Sequence, residues 1–113
     1  MSNANNECVS ETLGDYVLVR LRGEVDLSWS QQVRRAILDA LGASGKVGVE
    51  LSQVSYIDSS GIAALVEGFQ SARGKGQQFG LVAVSQAVLA VLQLARLDRV
   101  FPIFPDIETA RIG

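Results

Sequence analysis

KVGVELSQVSYIDSSGIAALVEGFQSARGK, residues 46–75, contains both of the periods on which an α/β fold rests. Over Lys46 to Leu51, the residues Val47, Val49 and Leu51 alternate as in a buried strand. From Ser60 to Lys75 the apolar stripe Ile62, Leu65, Val66, Phe69 and Ala72 repeats at the helical period, and Gly74-Lys75-Gly76 supplies the stop. Between them, Ser52 to Asp58 is expected to turn the chain from strand to helix.

The same logic extends in both directions. Upstream, Cys8–Leu13 and Tyr16–Arg22 flank the turn pair Gly14-Asp15 and predict an antiparallel hairpin. In its second strand, Val17, Val19 and Leu21 share one face and Leu18, Arg20 and Arg22 the other. Gly23-Glu24-Val25-Asp26 then leads to a helix from Trp29 to Leu41, with Trp29, Val33, Ala36, Ile37, Ala40 and Leu41 on its apolar side. Ser28 and Gln31 have capping-box spacing, Arg35 and Asp39 the spacing of an ion pair, and Gly42 is the stop. Downstream, Phe79–Val84 predicts a strand and Ser85 the cap of a third helix running to Ala95. Phe101–Phe104 predicts a last short strand, with a turn of helix from Asp106. Strands separated by helices make this an α/β domain: a mixed sheet of four to five strands, with about four helices packed mainly on one side. It is expected to span residues 7–113, behind a polar, disordered lead-in over residues 1–6.

Composition narrows the function classes. With 113 residues, 48% of them hydrophobic, the chain suits one domain with a real core. Ten basic and twelve acidic residues are interspersed, leaving no basic run for nucleic acid. There is no histidine, so the commonest general base and metal ligand is missing. Cys8 is the one cysteine, which rules out an intramolecular disulfide and reads as a half-buried strand residue. No apolar run reaches the roughly 18 residues of a membrane span, so no direct membrane insertion is expected. Residues 1–7 lack the features of a signal peptide, which makes a cytoplasmic location the expectation. Gly45-Lys46 and Gly74-Lys75-Gly76 lack phosphate-loop spacing, and Asp26, Glu50 and Asp58 match no calcium or magnesium loop. Neither an enzyme nor a cofactor nor a metal site is expected.

The segment Tyr56-Ile57-Asp58-Ser59-Ser60-Gly61-Ile62 carries the chemistry. Asp58, Ser59 and Ser60 are all helix-capping types, and one of them would suffice. Gly61, expected at the first or second helical position, costs helix stability but lets another backbone or a bulky ligand approach. A helix N-terminus also suits a phosphate, through its free amides and its dipole. Capping alone explains the cluster; phosphate carriage stays open beside it.

Val54–Ile62 resembles the signature of the STAS family, in which Asp-Ser-Ser-Gly opens the second helix. Gly23-Glu24-Val25-Asp26 resembles that family's second motif, and Leu94 to Phe101 its C-terminal segment, so the likeness runs from Cys8 to Ala110. Glu50 departs mildly, standing where an aspartate commonly precedes Leu-Ser. The resemblance implies a single STAS-like domain acting as an anti-sigma factor antagonist. It implies Ser59 as the phosphorylated residue, with Ser60 as second choice, and Asp26, Asp58, Ser59, Ser60 and Gly61 at the partner-binding surface. The implied partners are an anti-sigma factor with serine kinase activity and a phosphatase; a homodimer is also compatible. Two other readings compete: a small subunit of an ABC-type lipid transporter, and a structural interaction module. Either could dock through the third helix, where Val88, Leu89, Val91, Leu92, Leu94 and Ala95 are apolar nearly all round.

Overall fold

The computed structural model describes residues 6–112. Of the lead-in expected over residues 1–6, residues 1–5 lie outside the described residues. Asn6 donates to the Glu24 carbonyl and accepts from the Glu24 amide. The elements run β1 (Glu7–Leu13), β2 (Tyr16–Val25), α1 (Leu27–Ala43), β3 (Lys46–Ile57), α2 (Ser59–Gly74), β4 (Gln78–Val82), α3 (Gln86–Leu94), β5 (Ile103–Phe104) and α4 (Ile107–Ile112).

The sheet is mixed, in the order β1-β2-β3-β4-β5. β1 and β2 form the predicted antiparallel hairpin, and every later pairing is parallel. Each crossover steps to the next strand in the same direction. Because such crossovers are right-handed, the three connecting helices must fall on one face. The main core lies between them and the sheet, where Val19, Ile37, Val49, Leu65, Leu81 and Leu92 are wholly buried. Burying each such side chain stabilises the fold by about 1.5–3 kcal/mol.

The second face is covered only in part. Leu18, expected to share an outward face with Arg20 and Arg22, is instead sealed with Tyr16, Val82 and Ala110. The cover is α4, which reaches the β2 end carrying Leu18 and leaves Arg20 and Arg22 exposed. Gly48 and Gly80 make that packing possible. A Cβ on Gly48 would sit 1.8 Å from the Tyr16 hydroxyl, and one on Gly80 2.6 Å from the Phe104 ring.

Several boundaries differ from the sequence expectation. β3 continues to Ile57 where a turn was expected from Ser52. Its pairing with β2 slips between Arg20 and Arg22, and again between Gly23 and Glu24. Each slip gives β3 an extra residue, so its inward positions become Leu51, Val54 and Ile57, spaced by three. A bulge breaks the alternation by which a strand is recognised. α1 starts two residues earlier than expected: Asp26, not Ser28, is its cap, and it runs through Gly42 to Ala43. Ser28 turns back onto that cap, donating from amide and hydroxyl to Asp26 Oδ1 at 3.1 and 2.6 Å. β4 stops at Val82, two residues short of the expected end.

The ion pair also moves. Among the described residues Arg35 and Asp39 form no salt bridge, while Arg34 Nε donates to Glu67 Oε1 at 2.7 Å and ties α1 to α2. Both side chains are about half-exposed, so solvent screens the bridge and it adds little to stability.

Candidate functional site at the start of α2

The site is built where two parallel strands end side by side. Val25 and Ile57 are paired, and the Asp58 amide donates to the Val25 carbonyl at 3.2 Å. Each strand is followed at once by an aspartate and a helix, so Asp26 and Asp58 cap adjacent helix N-termini in nearly the same extended conformation. The paired strands thereby bring together two motifs far apart in sequence.

At the second terminus the three capping candidates divide the work. Asp58 is the cap, its Oδ1 accepting from the Ser60 amide at 2.9 Å and the Gly61 amide at 3.2 Å. The Ser60 hydroxyl donates to the same oxygen at 2.5 Å. Ser59, the first helical residue, is exposed, and among the described residues its hydroxyl has no hydrogen-bond partner. Gly61 is the third helical residue, later than expected, and lies buried beneath this surface. Its missing side chain admits another backbone: a Cβ there would be 2.8 Å from the Val25 carbonyl oxygen.

The charge here is fixed by the cap. The Ser60 hydroxyl holds the Asp58 carboxyl below its ordinary range; mild desolvation opposes this, and the Gly61, Ser60 and Leu27 amides assist. A depressed carboxylate stabilises the fold fully above its unfolded value and loses that contribution as pH falls through the folded one. Asp58→Ala should therefore destabilise the protein by about 0.5–2 kcal/mol at neutral pH, and by less in acid below the ordinary aspartate range. Urea unfolding at the two pH values checks this. An equal loss at both would mean that the carboxylate is not the stabilising form.

Two apolar neighbours were not singled out in the sequence. Leu27 follows Asp26 with 74% of its surface exposed, and Tyr56 lies two residues before Asp58 with 49% exposed. A helical projection could have marked Leu27, which stands roughly 100° from the buried stripe of α1. Tyr56 follows the bulges, where alternation no longer assigns faces. The third helix is less open than its composition suggested. Val88 and Leu92 are buried and Leu89 and Val91 half-buried, so of its large apolar side chains only Leu94 is exposed. Glu50, mid-strand, is nearly buried and accepts from the Ser52 hydroxyl at 2.5 Å. Cys8 is half-buried as expected, and burial pushes its thiol up.

Comparison with known proteins adds a family and its relatives. The model of the STAS domain matches residues 7–110. A Mycobacterium tuberculosis protein named as an anti-anti-sigma factor is 29% identical over 101 residues, covering 86% of this chain and 68% of that one. The crystal structure of a Thermotoga maritima protein, described as an anti-sigma factor antagonist, superposes with a TM-score of 0.85 at 25% identity. It covers 93% of this chain and 92% of that one. The phosphorylated form of the Bacillus cell fate determinant SpoIIAA has the same fold, with a TM-score of 0.75 at 23% identity, covering 95% of this chain and 100% of that one.

Proposed function

The chain belongs to the STAS domain family, and from that premise we propose that it is an anti-sigma factor antagonist working as a phosphorylation-controlled partner switch. With Ser59 unmodified it binds an anti-sigma factor that is also a serine kinase; with Ser59 phosphorylated it releases that partner. One observation carries the reading. Of the three polar residues at this helix start, only Ser59 offers an exposed hydroxyl outside the cap.

The chemistry follows from that division of roles. The Ser59 oxygen takes the terminal phosphoryl group of the kinase's ATP, loses its proton, and ADP leaves. A separate phosphatase hydrolyses the phosphoserine, with water restoring the hydroxyl and inorganic phosphate leaving. Phosphorylating Ser59 leaves the Asp58 cap intact, whereas modifying Ser60 would remove the hydroxyl that Asp58 binds. Ser59 is exposed and makes no capping bond, so the added group projects into solvent and the fold survives while the surface changes. That surface comprises Asp26, Asp58, Ser59 and Ser60, bordered by the exposed Leu27 and Tyr56. Gly61 contributes from below, by seating α2 against the β2 end.

On this reading the chain binds rather than catalyses, and it meets its partners in the cytoplasm. Among the described residues no helix is long and apolar enough to cross a membrane. The test is purification of the protein with its partners from the native host, followed by intact-mass and site-mapping analysis. The expected result is a kinase partner on the unmodified form and an adduct of about 80 Da, one phosphoryl group, on Ser59. Recovery of a transporter ATPase with no adduct, or an adduct confined to Ser60, would overturn the reading.

A further inference from the structure

A second site lies at the opposite end of the parallel strands. Beyond β5, which pairs only at Leu81 and Val82, the start of β4 borders a cavity of about 260 Å³. Its walls are aromatic: Phe69, Phe79 and Phe104 line it, with Tyr16 entering from the face covered by α4. That volume is just under the roughly 300–1,000 Å³ of ordinary small-molecule sites, so it suits a single ring.

Two of its lining residues carry buried polar atoms without partners. Tyr16 is 2% exposed and its hydroxyl has no hydrogen-bond partner. Gln77 spends both amide hydrogens on the Leu41 and Ser44 carbonyls, at 2.6 and 3.1 Å, while its Oε1 stays unpartnered. Leaving a buried polar atom unpaired costs about 1–3 kcal/mol, so two such atoms around one cavity call for an explanation. Burial pushes the Tyr16 phenol up, against a weaker pull from Arg111, so the hydroxyl keeps its proton near neutral pH.

The charges around the cavity have one sign. Lys46 and Arg73 line it, Arg73 lying 5.8 Å over the Phe69 ring, and no carboxylate is among the lining residues. Lys46 Nζ donates to the Arg111 carbonyl, which holds a cation at the rim. An aromatic chamber with a positive rim, one free donor and one free acceptor has a definite complement.

We propose that this cavity binds a small monocyclic aromatic carboxylate bearing a hydroxyl or amino group. The ring stacks among Phe69, Phe79 and Phe104, and the carboxylate accepts from Tyr16 and faces Lys46 and Arg73. The ring substituent donates to Gln77 Oε1. The site is separate from Ser59, since Lys46 opens β3, whose far end at Ile57 adjoins Asp58.

The probe is 4-hydroxybenzoate, titrated into the whole protein and followed by amide chemical shifts. The expected result is saturation with a Kd of about 1 mM or tighter, with shifts concentrated at Phe79, Gly80 and Ala110. Tyr16→Phe should weaken binding roughly threefold to tenfold, the net worth of one hydrogen bond. Arg73→Ala should weaken it as well, and benzoate should bind less tightly than the hydroxylated acid. Absence of saturation, shifts spread over the surface, or equal affinity in wild type and both variants would overturn the proposal.

Discussion

Ser59→Asp is expected to weaken binding of the anti-sigma factor by about 2–5 kcal/mol, on the order of thirtyfold to several thousandfold. The magnitude comes from placing an uncompensated negative charge in a surface that must lose water when the partner docks. Asp58 already carries a charge beside it, and its two amide bonds and the Ser60 hydroxyl keep that carboxylate ionised. The new charge therefore meets repulsion within its own protein and an unpaired environment across the interface. The helix dipole offers about 0.3–1 kcal/mol in return, and it offers this to the free protein as well, so it cannot offset the loss. The fold itself should be unaffected, because Ser59 is exposed and makes no capping bond. Calorimetry with the purified partner, beside a thermal melt of each variant, measures both. Ser59→Ala should bind like the wild type and refuse phosphate. Undiminished affinity for Ser59→Asp would remove Ser59 from the switch.

The second large effect concerns the ground on which that serine stands. Gly61→Val should destabilise the protein by about 3 kcal/mol, the upper end of what overpacking costs. A Cβ at this position would come within 2.6 Å of Ile57 Cγ1, 2.8 Å of Val25 Cγ1 and 2.8 Å of the Val25 carbonyl oxygen. Side chains can shift, but that carbonyl cannot shift freely, because it accepts the Asp58 amide that joins the two strand ends. Either α2 moves outward or the strand ends separate. The better helix propensity of valine returns only about 0.4 kcal/mol, so the clash prevails. Gly42→Ala serves as the control: it lies inside α1 with nothing within 4 Å of an added Cβ. It should gain up to about 1 kcal/mol. Chemical denaturation of the two variants decides the matter, and a Gly61→Val protein as stable as wild type would show that the start of α2 has room to spare.

The places where the structure departs from the local sequence pattern share one cause. Helix existence was legible because Val33, Ile37, Ala40 and Leu41, or Ile62, Leu65 and Ala72, repeat along one local stretch. The hairpin was legible because its turn and its alternation are contiguous. Ser85 caps α3 as its position predicts: its hydroxyl accepts the Val88 amide while donating to the Val54 carbonyl. By contrast, the capping box at Ser28 and Gln31 satisfied a local rule that lost to a better one, since Asp26 starts α1 as Asp58 starts α2. The Arg35–Asp39 spacing forms no bridge among the described residues, and α1 instead pairs through Arg34 with Glu67 on the neighbouring helix. The far half of β3 was hidden because two bulges changed its inward period from two to three.

At the start of α2, neighbouring residues alone establish that a helix begins, that aspartate and serine open it, and that a glycine permits a close approach. Those facts depend on residues within one turn of each other, where period, propensity and capping chemistry act. Which serine stays free was decided by the tertiary structure. Asp58 caps because its amide is anchored to Val25 on the neighbouring strand, which places its carboxylate under the Ser60 and Gly61 amides and draws in the Ser60 hydroxyl. Ser59 is left facing outward. The sealing of Leu18 and Tyr16 under α4, and with it the aromatic cavity, arose in the same way, from elements distant in sequence meeting across the sheet.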